Sequence, residues 1–388
     1  MPKHKILIVD DSSTMRRRVA SALTSDPELE VVGYTANGKI APEKIPQLNP
    51  DLVTLDVEMP VMNGLETLAA IRKKYGQLPV IMFSTVTHRG ASTTLDALFL
   101  GASDYFGKPT NVSSFQEAVE KVQVSLVPKI KALCGKSLNT PSAVEPRDAV
   151  RRSVAPPTLR KNIRPAIARG RRKSIGILAI GVSTGGPNAL SKVIPELPVD
   201  FPVPVVIVQH MPPVFTGFLA ESLSRTAKMP VCEAVDGPIL KPGEIWIARG
   251  GCHMIVKGNT SFPRICLNEA PPENSCRPSV DVLFRSVLDV YGARILAVIL
   301  TGMGKDGLVG AELIHNSGGK VFAQDEASSV VWGMPGAVAR AGIAQKILPL
   351  ELVASNIVST VYSSRIKKDV LFLFFAFHQS TTLKKLRD

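Results

Sequence analysis

The sequence predicts an α/β protein built as two successive parallel-sheet domains, each with helices on both faces of its sheet. Three observations carry this. Apolar runs of strand length alternate with helix-length segments through both halves of the chain, the spacing of strand–helix–strand units. Polar and charged residues fall just after the apolar runs, on the rim where a parallel sheet gathers its ligands. A Pro-, Arg- and Ser-rich stretch with no sustained apolar period separates the halves and reads as extended chain.

The elements of the first half follow in order. Ile6–Val9 is a strand ending at Asp10-Asp11-Ser12, and Met15–Leu23 is a helix. Val31-Val32 marks a second strand. Ala36–Leu48 is a weak helix because Pro42 and Pro46 lie in it. Leu52–Leu55 is a strand ending at Asp56, and a helix over Leu65–Lys74 follows the Asn63-Gly64 turn. Pro79–Phe83 is a strand ending at Ser84, then Ser92–Leu100 a helix. Asp104–Phe106 is a strand ending at Lys108-Pro109, and Val112–Val127 closes the half as a helix.

In the second half, Ile175–Leu190 (IGILAIGVSTGGPNAL) passes from an apolar strand through a Gly-rich turn into a helix starting at Gly185 or Gly186. Val203–Val208 is a β-branched strand leading to His210, and Phe218–Arg225 is a helix. Glu244–Ala248 and His253–Lys257 are strands flanking Gly250-Gly251, and Val280–Leu288 is a helix. Ile295–Leu300 is a buried strand ending in TGMGKDG, Gly310–Asn316 a helix and Gly319–Ala323 a last strand.

Composition narrows the function classes. A chain of 388 residues with 45% hydrophobic and 20% charged residues has the make-up of a soluble globular protein with core enough for two or three domains. No apolar run has the length of a membrane span. The start, MPKHKILIVDD, lacks the pattern of a secretory signal. The five Cys are scattered without a Cys-x-x-Cys pair, which argues against a disulfide framework or zinc site and for a reducing, cytoplasmic setting. The net charge is +13, but between Pro128 and Ser174 thirteen Lys or Arg stand against Glu145 and Asp148, so the charge belongs to the connecting stretch. That stretch has no interleaved aromatics and no helix-turn-helix pattern follows the first half, so no specific nucleic-acid partner is expected.

Two rims carry chemistry. On the first, Asp10, Asp11, Asp56, Ser84 and Lys108 come together. Singly, an acid at a strand end also serves as a helix cap. Together, three carboxylates need a cation, and Mg²⁺ with hard oxygen ligands fits. With Lys108 it would neutralise a phosphoryl group on Asp56, which Ser84 could hydrogen-bond. The motifs LIVDDS, LDVEMPVMNGLE, PVIMFS and YFGKP resemble those of a response-regulator receiver domain of the flavodoxin-like, CheY-like type, over residues 1–125. The resemblance implies phosphorylation of Asp56 by a histidine kinase and Mg²⁺ on Asp10, Asp11, Asp56 and the backbone carbonyl of Glu58. It also implies a switch made by Ser84, Tyr105 and Lys108, although Tyr105 equally reads as a half-buried aromatic.

On the second rim, Gly181-Val182-Ser183-Thr184-Gly185 matches the Gly-x-Ser-x-Gly elbow of serine hydrolases, and it is equally the pattern of a plain strand-to-helix loop or a phosphate-binding turn. Three strand ends carry Ser183, His210 and Asp306: a nucleophile, a base and an anion to orient the base. Asp306 alone reads as an Asp-Gly turn. The order Ser–His–Asp differs from the Ser–Asp/Glu–His of α/β-hydrolases and excludes that fold. The motifs IGVSTGGPNAL, VQHMPPVFTGFLAESL, RPSVDVLF, ILTGMGKDG and AQDEASSVVWGMP resemble the catalytic domain of the chemotaxis protein-glutamate methylesterases, the CheB family, a doubly wound, Rossmann-like parallel α/β domain.

The resemblance places the methylesterase domain at 174–364, and composition marks a linker at 126–173 and an atypical tail at 365–388. It implies Ser183 as nucleophile, His210 as base and Asp306 as its anion, with Thr184 helping to place His210 and the Met303 N–H serving the oxyanion. No cofactor is implied in the esterase site. The substrate would be glutamate γ-methyl ester on chemoreceptors, with deamidation of receptor glutamine as a second activity that the sequence leaves open. The unphosphorylated receiver would cover the active site until Asp56 is phosphorylated. Two rivals remain at this point: a receiver-regulated binding module without catalysis, and a DNA-binding response regulator. The Phe-rich, Lys-flanked tail reads as a membrane-surface or partner segment, or as an altered or poorly ordered extension.

Overall fold

A computed structural model describes residues 3–85, 87–108, 114–135 and 174–365. Most of the expected linker, 136–173, nearly all of the expected tail, 366–388, and Pro109 lie outside the described residues.

The first half runs β1 (His4–Val9), α1 (Ser13–Thr24), β2 (Leu29–Thr35), α2 (Ala41–Leu48), β3 (Leu52–Asp56), α3 (Gly64–Lys74), β4 (Val80–Ser84), α4 (His88–Phe99), β5 (Asp104–Gly107) and α5 (Phe115–Cys134). The five strands form one parallel sheet in the order β2-β1-β3-β4-β5. β3 and β4 are buried along their whole length because helices cover both faces. The order reverses between β1 and β3, so Asp10 and Asp56 emerge side by side at the switch point.

Several boundaries differ from expectation, and two of the differences have a plain physical reason. The second helix begins at Ala41 rather than Ala36, with Pro42 in its first turn, where proline's missing N–H costs nothing. The last helix does not stop at Val127: residues 126–134, expected as linker, complete α5 through Pro128. The carbonyl that Pro128 deprives of a donor belongs to Val124, which is 76% exposed, so water can take the missing bond.

The second half runs β6 (Ile177–Val182), α6 (Gly186–Val193), β7 (Val205–Gln209), α7 (Phe215–Ser224), β8 (Val231–Glu233), β9 (Ile245–Ile247), β10 (His253–Lys257), β11 (Arg264–Asn268), α8 (Val280–Tyr291), β12 (Ile295–Ile299), α9 (Leu308–Asn316), β13 (Lys320–Gln324), α10 (Met334–Arg340), β14 (Lys346–Leu348) and α11 (350–365). Seven strands make a second parallel sheet, β14-β13-β12-β6-β7-β9-β8. The strands flanking Gly250-Gly251 do not pair with each other: β9 joins this sheet, while β10 pairs antiparallel with β11 in a separate two-stranded ribbon. β6 lies at the centre, between β12 and β7, so the loops after these three strands share one rim.

The halves share a core. One cluster of buried apolar side chains contains Leu95, Leu98 and Tyr105 of the first half together with Ile180, Leu190 and Phe215 of the second. The Tyr105 ring stacks on Phe215 at 4.9 Å, and His88 meets Phe218 edge-on at 5.9 Å. Val331, in the loop after β13, joins the cluster that holds Phe83, Phe106 and Val119. No helix among the described residues is long and apolar enough to cross a membrane.

Candidate active site and phosphoacceptor site

The Ser183 turn is shaped by close backbone approach. β6 is buried throughout and delivers Ser183 one residue past its end. Gly185 has φ 76°, and a Cβ there would lie 2.5 Å from Val330, so the turn needs glycine on both counts. The Ser183 N–H donates to the Thr301 carbonyl at 3.0 Å. A Cβ on Gly302 would lie 2.8 Å from the Ser183 Cβ, which is how the loop after β12 reaches the serine.

His210 follows β7, and its N–H donates to the Val182 carbonyl at 3.2 Å, tying its loop to the strand that carries Ser183. Its Nε2 is 2.8 Å from Asp306 Oδ2. Asp306 is buried among donors. Oδ2 also accepts the Val280 N–H at 2.7 Å. Oδ1 accepts the Ser279 hydroxyl and Asn274 Nδ2, each at 2.9 Å, with the N–H groups of Gly307 at 3.0 Å and Asp281 at 3.1 Å. Val280 and Asp281 open α8, so the carboxylate sits at a helix N-terminus where amides and dipole favour an anion. Burial alone would raise its pKa, but His210 and these amides outweigh burial and hold the carboxyl well below its ordinary range.

Burial alone would likewise favour neutral His210. The Asp306 carboxylate and then the Cys276 thiol group reverse that and push the imidazole up to about 9. The second ring nitrogen, Nδ1, is 3.6 Å from Cys276 Sγ. Both ring nitrogens of His210 are thus occupied, and among the described residues no hydrogen bond joins the Ser183 hydroxyl to His210.

The expected support residues behave differently. Thr184 does not place His210 here: its hydroxyl donates to Asp104 Oδ2 of β5 at 2.9 Å, because the first domain packs directly on the Ser183 turn. Lys129 Nζ also reaches Asp104 Oδ2 at 2.9 Å. Met303 is 37% exposed, so its side chain is not core packing, and its N–H has no hydrogen-bond partner among the described residues.

Sequence reasoning missed Gln209, Asn274, Cys276 and Ser279. Buried Gln209 bridges the two loops, its Nε2 donating to the carbonyls of Ser183 at 3.0 Å and His210 at 3.2 Å. Ser279 was legible in principle, as a Ser before an apolar-periodic helix. Asn274 and Cys276 lie in a loop without periodicity and carried no comparable signal.

On the other rim, Asp10, Asp11 and Asp56 offer oxygens within 4.8 Å of one another. Lys108 Nζ is 2.6 Å from Asp56 Oδ2 and 3.2 Å from Asp10 Oδ2. Burial, and secondarily the charge of Asp10, pushes Asp56 up to about 6 despite Lys108, and Asp10 is raised also, chiefly by burial. One ammonium therefore under-compensates three carboxylates, and this hard-oxygen set fits a divalent cation. Glu58 donates its N–H to Asp56 Oδ1 at 3.3 Å. The Ser84 hydroxyl lies 3.1 Å from each of the Thr85 and Gly90 carbonyls, satisfied away from Asp56. Tyr105 is buried against Phe215, its phenol pushed up by burial.

Two parallel sheets thus each carry a rim of polar and charged side chains, Asp10, Asp11, Asp56 and Lys108 on one and Ser183, His210 and Asp306 on the other. Residues 6–120 match the response regulator receiver domain and residues 178–357 match CheB methylesterase. A protein of Trichodesmium erythraeum named protein-glutamate methylesterase/protein-glutamine glutaminase is 50% identical over 361 residues, covering 93% of this chain and all of that one. One of the same name from Nocardioides sp. is 48% identical, covering 90% and 93%. The crystal structure of the Thermotoga maritima CheB methylesterase catalytic domain is 42% identical, with a TM-score of 0.47 over 48% of this chain and 98% of that one. The chain belongs to the CheB methylesterase family.

Proposed function

We propose that this chain is a phosphorylation-controlled protein-glutamate methylesterase that acts on chemoreceptors through Ser183, His210 and Asp306. The observation that carries the reading is the His210–Asp306 pair at 2.8 Å, set in the amides of α8 on the same rim as Ser183. Because Asp306 holds Nε2, the nitrogen left to accept the serine proton is Nδ1. His210 turns from Cys276 to Ser183, takes that proton and returns it to the departing methoxide as Ser183 bonds to the ester carbonyl. The Met303 N–H stabilises the oxyanion. Water, deprotonated by the same nitrogen, then releases glutamate from the serine. With ammonia as leaving group the same steps deamidate glutamine, the second activity in the relatives' name.

The reading extends to control. A histidine kinase is the phosphodonor, Asp56 the acceptor, and the setting is the cytoplasm. Asp10, Asp11, Asp56 and the Glu58 carbonyl would hold Mg²⁺, which supplies the positive charge that a phosphorylated cluster needs. Lys108 pairs with the phosphoryl group, and Ser84 and Tyr105 pass the change to β5 and α4. The receiver, its last helix running to Cys134, rests on the Ser183 turn through Thr184–Asp104 and on α7 through Tyr105–Phe215, and phosphorylation shifts the population away from that docked state. We assign 136–173 as the connecting linker and 174–365 as the esterase domain.

The test is methanol release from methylated receptor, with and without a small phosphodonor. Ser183→Ala is expected to lose activity by on the order of 10⁴–10⁶, and Asp56→Asn to lose only the response to phosphodonor. Near-parental release by Ser183→Ala would leave a binding module instead.

A further inference from the structure

Cys276 occupies the one nitrogen of His210 that Asp306 leaves free. Its position is built rather than incidental. Asn274 and Ser275 take left-handed φ values of 53° and 61°, and Glu273 and Cys276 exchange backbone hydrogen bonds at 2.9 and 3.1 Å across this tight turn. The neighbouring Arg277 guanidinium is anchored on the carbonyls of Glu269 and Ala270. The loop thus aims the sulfur at Nδ1 while leaving the residue half-buried, within reach of a small reagent. Behind the sulfur stands an imidazole backed by a buried carboxylate, a Cys–His–Asp chain in which the ring nitrogen nearest the sulfur is placed to take the thiol proton.

We propose that Cys276 is an oxidant-sensitive modification site of the active centre, at which a hydroperoxide converts the thiol to a sulfenic acid and thereby withholds His210 from Ser183. The thiol gives its proton to Nδ1 of His210 as the sulfur attacks one peroxide oxygen, the S–O bond forms and the O–O bond breaks. Sulfur is oxidised by two electrons, and the departing hydroxide or alkoxide takes the Nδ1 proton of His210 to leave as water or alcohol. The new oxygen lies against Nδ1 and holds it by a stronger hydrogen bond than sulfur makes. A dithiol reductant reverses the step. This effect on activity rests on the reading of His210 as the base of the esterase; the modification itself does not.

The chain carries its own controls. Cys232 is exposed and Cys134 is buried, its thiol pushed by burial to about 12. The unphosphorylated full-length protein is treated with dilute hydrogen peroxide in the presence of dimedone, which traps sulfenic acids, and each cysteine peptide is quantified by mass spectrometry. Cys276 is expected to label at least about tenfold faster than Cys232, and His210→Gln to remove that advantage. In parallel, without dimedone, methanol release is expected to fall in step with oxidation and to return with dithiothreitol. Cys276→Ser and Cys276→Ala, whatever their starting rates, are expected to keep those rates through the treatment. Labelling of Cys232 ahead of Cys276 would overturn the site, and equal loss of activity in the Cys276 variants would overturn its effect on His210. If untreated protein releases no methanol, the esterase reading fails, while the labelling order still decides the site.

Discussion

His210 and Asp306 shift each other's titration in opposite directions, and the shifts set a pH window. His210 is raised to about 9, so its contribution to folding is complete below its ordinary value near 6.5 and is lost as pH rises through about 9. Asp306 is lowered, so its contribution is present above its ordinary value near 3.8 and is lost as pH falls through its depressed folded value. The urea midpoint of unfolding is therefore expected to fall between pH 6 and pH 9.5, and Asp306→Asn to flatten that fall. An identical fall in the variant would show that other groups cause it. That a Ser, a His and an Asp each follow an apolar run was readable beforehand. Their hydrogen bonds were not, because they depend on side-chain rotamers. Thr184 illustrates the limit: its neighbour in sequence is Ser183, but its partner is Asp104, eighty residues away.

At the scale of elements, strands buried on both faces were the easiest to read, since β6 and β12 are unbroken apolar runs and β4 and β7 are apolar up to one polar residue at their end. The three-residue edge strands β8 and β14 and the ribbon strand β11 carry too few apolar positions to show a period, and only pairing defines them. Gly185 is a sensitive point of the β6–α6 turn. Gly185→Ala combines a left-handed φ, costing roughly 1–2 kcal/mol, with a collision against Val330. The variant is expected to unfold at lower urea than the parent and to release methanol more slowly at the same folded fraction, because relief of the clash moves Ser183. A variant destabilised but with unchanged kcat would show that the turn relaxes without disturbing the serine.

For the whole molecule, the decisive feature is that two domains share apolar clusters, so the receiver face formed by α4 and β5 is also part of the esterase's surroundings. The stack of Tyr105 on Phe215 belongs to that contact, and such pairs contribute about 0.5–1.5 kcal/mol beyond the area they bury. Tyr105→Ala is therefore expected to raise methanol release in the absence of phosphodonor by roughly two- to tenfold, with little further gain on phosphorylation. An unchanged basal rate would mean that the docked arrangement does not limit activity. By itself the sequence determined the two parallel sheets, the acids and the Ser, His and Asp at their rims, and the family, because apolar period and strand-end chemistry are local properties. Only the tertiary structure decided how those groups are engaged. It diverts Thr184 to Asp104, buries Tyr105 on Phe215 and places Cys276 on the free nitrogen of His210, contacts made by packing segments far apart in the chain.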